Sequence, residues 1–276
     1  MFFKYLPPER TDCITNLAIR FTPFTSLNDP YEFSSIIDIQ ELKEDLCRRF
    51  DDKFLTPLPT DHPAKSNPSE YERLRSEAIE PILENFDPSI ASETVRELLS
   101  DNYGVLSLSR TNLNLLMWAH YAKDYTGYII GFEDNHDFFY ASSQAGGKTS
   151  PMSVIYSELI PTLNPKNPST TTYAHKNLMN NKPLDWAYEQ EIRIVRARME
   201  DHLINTGVTD TFGNRVFLSP IPKDAIQKIY FGPRATEETK SRILKAIAKN
   251  DMQCKVYQGS LSSTEYKIEF SEIPLV

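Results

Sequence analysis

Cysteine is scarce: Cys13, Cys47 and Cys254 are the only three in 276 residues. They are odd in number, far apart and without CxxC spacing, so neither a disulfide framework nor a zinc site is expected. Basic charge is short as well, with 30 Lys and Arg against 38 Asp and Glu, a net charge of -8. A generic binder of nucleic acid or of an anionic membrane presents a basic face that neutralises phosphates, and this balance argues against both. No apolar run approaches the ~18 residues of a membrane span. The opening MFFKYLPPER also lacks an apolar stretch long enough for export, so a cytoplasmic protein is expected. GxGxxG is missing, as is GxxxxGK followed by Ser or Thr, which leaves phosphate-loop readings without support. There is no GxSxG. His62, His136, His175 and His202 are scattered, with no HxxxH or HxH spacing, so no metal site is expected.

What is present is material for an ordinary core: 40% hydrophobic and 25% charged residues. FFKYL and Leu17 to Phe24 read as strands, the second rich in β-branched and aromatic residues. Leu27-Asn28-Asp29-Pro30 signals a turn. From residue 38 to 100 the character is helical. IDIQELKEDLCRRFDDKF places Leu42, Leu46 and Phe50 on one stripe, a polar loop runs from Thr56 to Ser69, and two more helices follow with Ser69 and Ser92 as N-caps. This stretch reads as a helical insertion or side layer, its charges as solvated helix faces.

Beyond Gly104 the pattern is strand (Val105 to Ser109), helix (TNLNLLMWAHYAKDY, ended by Gly127) and strand (Tyr128 to Glu133). SVIYSEL is a further strand, a polar segment covers Pro161 to Ser169, and a short helix surrounds Tyr173 to Met179. Trp186 to Arg198 alternates as a strand, and Lys228 to Gly232 is a buried one. A helix capped by Thr236 carries Ile243, Leu244 and Ile247 on its apolar stripe. CKVYQG and TEYKIEF close the chain as strands. The expectation is one α+β domain over residues 1–276, with a mixed or antiparallel sheet.

Three clusters could carry chemistry. If WAYEQEIR is a strand, Glu189, Glu191 and Arg193 share one face and Tyr188, Ile192 and Ile194 the other. Two carboxylates at i and i+2 repel unless a cation or a ligand hydroxyl fills the gap. The pair is therefore either a site flanked by Trp186 and Tyr188 or an exposed face neutralised by Arg193. In LLMWAHYAKDYTG, helical spacing sets Asp124 one turn from His120, which either orients a general base or satisfies a structural histidine. Trp118 reads as core. In SLNDPYE, turn chemistry accounts for Asn28 and Asp29 but less readily for Glu32.

At these clusters the sequence resembles an uncharacterised, mostly bacterial family, domain of unknown function 2971. The likeness rests on Lys4 and Tyr5, then on Phe21 running into Asn28, Asp29, Pro30 and Glu32. It continues with Ser109 before Met117, Trp118, His120, Tyr121, Ala122 and Gly127, and with Trp186, Tyr188, Glu189, Glu191 and Arg193 before a terminal IYFG strand. It spans nearly the whole chain except Glu41 to Ser100. The family name supplies no reaction, but the resemblance implies that the clusters line one active or binding site.

A second likeness bears on mechanism. ADP-ribosyltransferases of the Arg-Ser-Glu type carry an arginine on an early strand, then a Ser-x-Ser strand, then a Glu-x-Glu strand. The sequence is similar in order, with Arg20, Ser107 and Ser109, and Glu189 and Glu191. The resemblance implies NAD as substrate, Arg20 holding phosphate or ribose, the serines bracing the site, and the last glutamate on the ribose 2′-hydroxyl. Tyr121 or Tyr128 would stack on nicotinamide. Family context then suggests a toxin or phage-defence effector with a small nucleotide ligand. Two alternatives stand beside it. One is a metal-dependent nuclease or other hydrolase using Asp29, Glu32, His120, Glu189 and Glu191 with Mg²⁺ or Mn²⁺. The other is a non-catalytic module that senses a nucleotide or binds a partner.

Overall fold

The computed structural model describes residues 1–140, 149–163, 178–198 and 203–274. Most of the helix expected around Tyr173, together with His175 and His202, lies outside the described residues. Eleven strands form the two larger sheets: β1 (Phe2–Leu6), β2 (Ala18–Arg20), β3 (Tyr103–Ser109), β4 (Tyr128–Phe132), β5 (Met152–Ser153), β6 (Glu191–Ala197), β7 (Ile204–Thr209), β8 (Arg215–Pro220), β9 (Ile226–Phe231), β10 (Lys255–Leu261) and β11 (Ile268–Ile273). The main sheet runs β11-β10-β9-β4-β1-β3-β6-β5, and a smaller one runs β7-β8-β2. Only the β9–β10 pair of the main sheet is parallel, so the fold is α+β with a mixed sheet.

The main helices are α1 (Ile39–Phe50), α2 (Pro68–Glu84), α3 (Pro88–Asn102), α4 (Leu115–Tyr121) and α5 (Glu237–Lys249). The first three occupy the stretch read as an insertion, with α3 running directly into β3. Their caps differ from the expected serines. Asn67 accepts from Glu70 N, and Asp87 accepts from Ser89 N and Ile90 N. In both helices a proline follows the cap, where its missing N–H costs nothing, so each begins before the serine. Thr236 caps α5 as the sequence indicated. None of the described helices is long and apolar enough to cross a membrane.

Strand alternation divides the core between the two faces of the sheet. On one face Phe2, Leu6, Leu106, Leu108, Tyr128, Ile130, Ile192 and Ile194 pack toward Ile243, Ala246 and Ile247 of α5. On the other, Tyr5, Ile129 and Tyr230 pack with Met117, Trp118 and Ala122 of α4. The α4 exit is tight. Lys123, Asp124 and Tyr125 all have φ between 47° and 69°, and Gly127 follows. A Cβ at Gly127 would lie 2.1 Å from Leu6 O and 3.0 Å from Ala122 O. Both obstacles are backbone, which cannot swing aside. Gly127→Ala is therefore expected to cost about 1–3 kcal/mol, read as a lower urea midpoint with an unchanged slope.

Candidate active site

The site forms where the main sheet opens. β1 pairs with β4 along its whole length, from Phe2 opposite Phe132 to Leu6 opposite Tyr128. Its ladder with β3 holds at Phe3 opposite Ser109, while β3 is fully paired with β6 on its far side. A cleft lies along this seam, lined by Lys4 of β1, Ser107 and Ser109 of β3, Asn28 and Glu32 of the NDPYE turn, Tyr121 of α4, and Lys182, Glu189 and Glu191. Its volume is about 130 Å³, below the roughly 300–1,000 Å³ of pockets that take in a whole drug-sized ligand. That admits one small ring or sugar, not a whole dinucleotide.

The floor is a buried ion cluster. Lys182 Nζ lies 3.1 Å from Glu32 Oε1, 2.6 Å from Glu189 Oε2 and 3.2 Å from Glu191 Oε2. Arg193 donates through Nε to Glu191 Oε1 at 2.9 Å, and through one terminal nitrogen to Glu32 at 2.5 Å and Glu191 at 3.1 Å. Its other terminal nitrogen donates to Met179 O at 2.8 Å. Three carboxylates thus face two cations, leaving one negative charge in excess. Lys4 supplies a third cation at the cleft wall, with Nζ donating to Ser107 O at 2.9 Å.

These contacts set the protonation states. Burial alone pushes the Glu191 carboxyl up, but Arg193 and Lys182 outweigh it and hold the group at about 2. For Glu32 burial wins over the same two cations, and the group sits above its ordinary value. The difference follows from geometry, since Glu191 receives two guanidinium hydrogen bonds and Glu32 one. Burial depresses Lys182, yet the three carboxylates carry it above an ordinary lysine. Lys4, without a carboxylate in contact, is lowered by burial.

The two adjacent glutamates differ in what they have left to give. Glu191 accepts three hydrogen bonds from Lys182 and Arg193, and its own N–H donates to Tyr156 Oη at 2.7 Å. Glu189 accepts one bond on each oxygen, from Tyr121 Oη and from Lys182. A carboxylate offers about four acceptor positions, so Glu189 keeps about two for a ligand. Asn28 Nδ2 donates to Tyr121 Oη at 3.3 Å and completes this corner.

Several expectations change. WAYEQE is not a strand: Leu184–Glu189 is a 3₁₀ turn, Gln190 is left-handed at φ 47°, and β6 begins at Glu191. Ser109 Oγ, donating to Glu189 O at 2.7 Å, and Asn114 Nδ2, donating to Tyr188 O at 3.2 Å, tie the turn in place. Glu191 and Arg193 do share a face, and Ile192 and Ile194 enter the opposite core. Arg20 does not line the cleft; its guanidinium is 2.5 Å from Asp210 Oδ2. Tyr128 alternates onto the α5 face and donates to Arg10 O. His120 is exposed and makes no bond to Asp124, because α4 ends at Tyr121 and the left-handed run turns Asp124 off its face. Asp29 is buried in its turn, with Oδ1 accepting from Tyr31 N. Lys182 was missed, for no motif surrounds it. The sequence left either a cation or a ligand hydroxyl between the two acids and offered Arg193 as the neutralising partner; the structure adds Lys182.

A family model described as "Protein of unknown function (DUF2971)" matches residues 117–194. The chain resembles that family over this stretch. The match takes in Tyr121, Lys182, Glu189, Glu191 and Arg193, and leaves Lys4, Glu32 and Ser109 outside. No curated protein and no solved structure matches the chain. As for metals, the described residues contain no group of three or more His, Cys, Asp or Glu able to hold an ion, and the three carboxylates are turned onto Lys182 and Arg193.

Proposed function

We propose that the cleft receives the nicotinamide–ribose end of NAD and that the protein is an ADP-ribosyltransferase-like, NAD-consuming enzyme. One observation carries this reading: the opened seam gathers a basic side chain of an early strand, the two serines of β3, Glu189 of the 3₁₀ turn and Glu191 at the start of β6 around one small cavity. The base is Lys4, not Arg20. In this scheme the bond from the ribose C1′ to the nicotinamide nitrogen breaks, its electron pair leaving with nicotinamide. An acceptor nucleophile adds at C1′ and releases its proton to solvent. Glu189 takes the ribose hydroxyl on its spare acceptor positions, and its carboxylate steadies the oxocarbenium-like state. Glu191 stays ionised and holds Lys182 and Arg193 in position. In such a role the protein would act in the cytoplasm, as a toxin or phage-defence effector.

Incubation with NAD and cell extract, the extract supplying acceptors, is expected to release nicotinamide measurable by chromatography. A second reading, a non-catalytic nucleotide-sensing module, is favoured by the saturation of Glu191 by internal cations. Under that reading NAD raises the thermal midpoint without turnover. Neither release nor a thermal shift would end both.

A further inference from the structure

Beside the cleft runs a row of aromatic rings, of which only Tyr121 lines the cleft itself. Trp186 and Tyr188 of the 3₁₀ turn have centroids 6.1 Å apart with planes inclined by 36°. Tyr188 and His120, from the end of α4, are 6.5 Å apart at 42°. His120 in turn lies 6.4 Å from Tyr121, edge-on. Both ends of the row reach the charged centre. Tyr121 bonds Glu189, and Lys182 Nζ sits 4.8 Å over the Trp186 ring.

These rings differ from the core aromatics in exposure, not in spacing. The buried Trp118 lies 6.2 Å from Phe270 with planes inclined by 36°, nearly the geometry of Trp186 and Tyr188. Tyr188 and Tyr121 pack in part against that same core. Trp186 and Tyr188 are half-buried and His120 is exposed. Apolar ring surface left in water forgoes about 25 cal/mol per Å² of burial. Two elements far apart in sequence contribute to the row, so it is a product of the fold and not of one local run.

We infer that this row is a stacking surface for the purine ring of an adenine nucleotide, lying outside the cleft. The inference rests on the reading of the cleft as a nicotinamide–ribose site. A cavity of about 130 Å³ leaves the rest of a dinucleotide outside, and partly exposed aromatic rings beside it are what an adenine ring stacks on. The net charge of -8 favours a free nucleotide over a nucleic-acid strand, which needs many phosphate contacts.

The chain has two tryptophans, and Trp118 is fully buried, so ligand-dependent emission reports on Trp186. Titration of the full chain with AMP is expected to give saturable quenching, abolished in Trp186→Phe. Tyr188→Leu weakens AMP by roughly tenfold, the size of one lost stacking partner, and Tyr188→Phe, which keeps the ring, restores it. Should Tyr188→Leu fail to fold, His120→Leu on the exposed end of the row repeats the measurement. The inference is overturned by the absence of saturable quenching, by unchanged AMP affinity in the leucine variant, or by an equal response to ribose 5-phosphate. The enzymatic reading fails separately: AMP quenching without any nicotinamide release from NAD leaves the stacking surface standing and removes the reaction.

Discussion

Lys182→Met is expected to lower stability by about 3–5 kcal/mol, read as a fall in the urea midpoint, because it removes one partner from a buried ion cluster. The Lys182 side chain is 3% exposed and touches Glu32, Glu189 and Glu191. Without it Arg193 alone must offset three buried carboxylates, and Arg193 does not touch Glu189 among the described contacts. Lys4→Met should behave in the opposite way. Its ammonium has a carbonyl for a partner and no carboxylate, and burial lowers its pKa. Removing such a charge is neutral or stabilising. Two lysines lining one cleft therefore separate cleanly. If Lys182→Met unfolds at the wild-type midpoint, the ion cluster does not hold the cleft together.

The pH dependence of this deficit follows from the shifts. Glu191 titrates at about 2 in the fold and near ~4.3 when unfolded. Its stabilisation is complete above the unfolded value and is lost as pH falls through the folded one. Glu32 is raised, so its ionised form weakens the fold and protonation relieves it. Lys182 is raised, so its contribution is present throughout the range below an ordinary lysine pKa of ~10.4 and is lost only above it. In Lys182→Met the carboxylates lose a cation and take up protons earlier. The gap between variant and wild type should therefore narrow as pH drops below about 5.

The sequence revealed faces better than it revealed partners. Period-two alternation assigned Ile192 and Ile194 to one side of β6 and Glu191 and Arg193 to the other, because a strand has no other choice. The same alternation misread WAYEQE, whose turn is held by Ser109 and Asn114 from distant elements. Arg20 was misplaced for a related reason. Its partner Asp210 belongs to the β7–β8 hairpin, a stretch of polar residues and glycines that shows no strand pattern by itself. Glu32 was hard to explain as part of a turn, and the structure supplies the reason in its contacts with Lys182 and Arg193. Lys182 illustrates the limit most clearly. Electrostatics left a cation or a ligand hydroxyl to fill the gap between Glu189 and Glu191, and only the folded chain shows Lys182 there.

Glu189→Gln is expected to slow nicotinamide release by about 10²–10³-fold, the usual cost of removing one preorganised electrostatic group. The loss should fall on kcat with KM little changed, since the carboxylate is needed most when positive charge develops on the ribose. Glu191→Gln should instead act first on stability. It strips Arg193 and Lys182 of a shared counter-ion, at a cost of about 3–5 kcal/mol, and any loss of rate should track the unfolded fraction. The distinction arises from the hydrogen bonds alone: three on Glu191, two on Glu189. The pH profile offers an independent check. With Glu191 ionised down to about 2, it contributes no acid limb above about pH 4. Lys4, lowered by burial, should impose an alkaline limb below the ordinary lysine value, and Lys4→Met should abolish that limb along with most of the rate. Wild-type kcat in Glu189→Gln would remove Glu189 from the chemistry and return the catalytic role to Glu191.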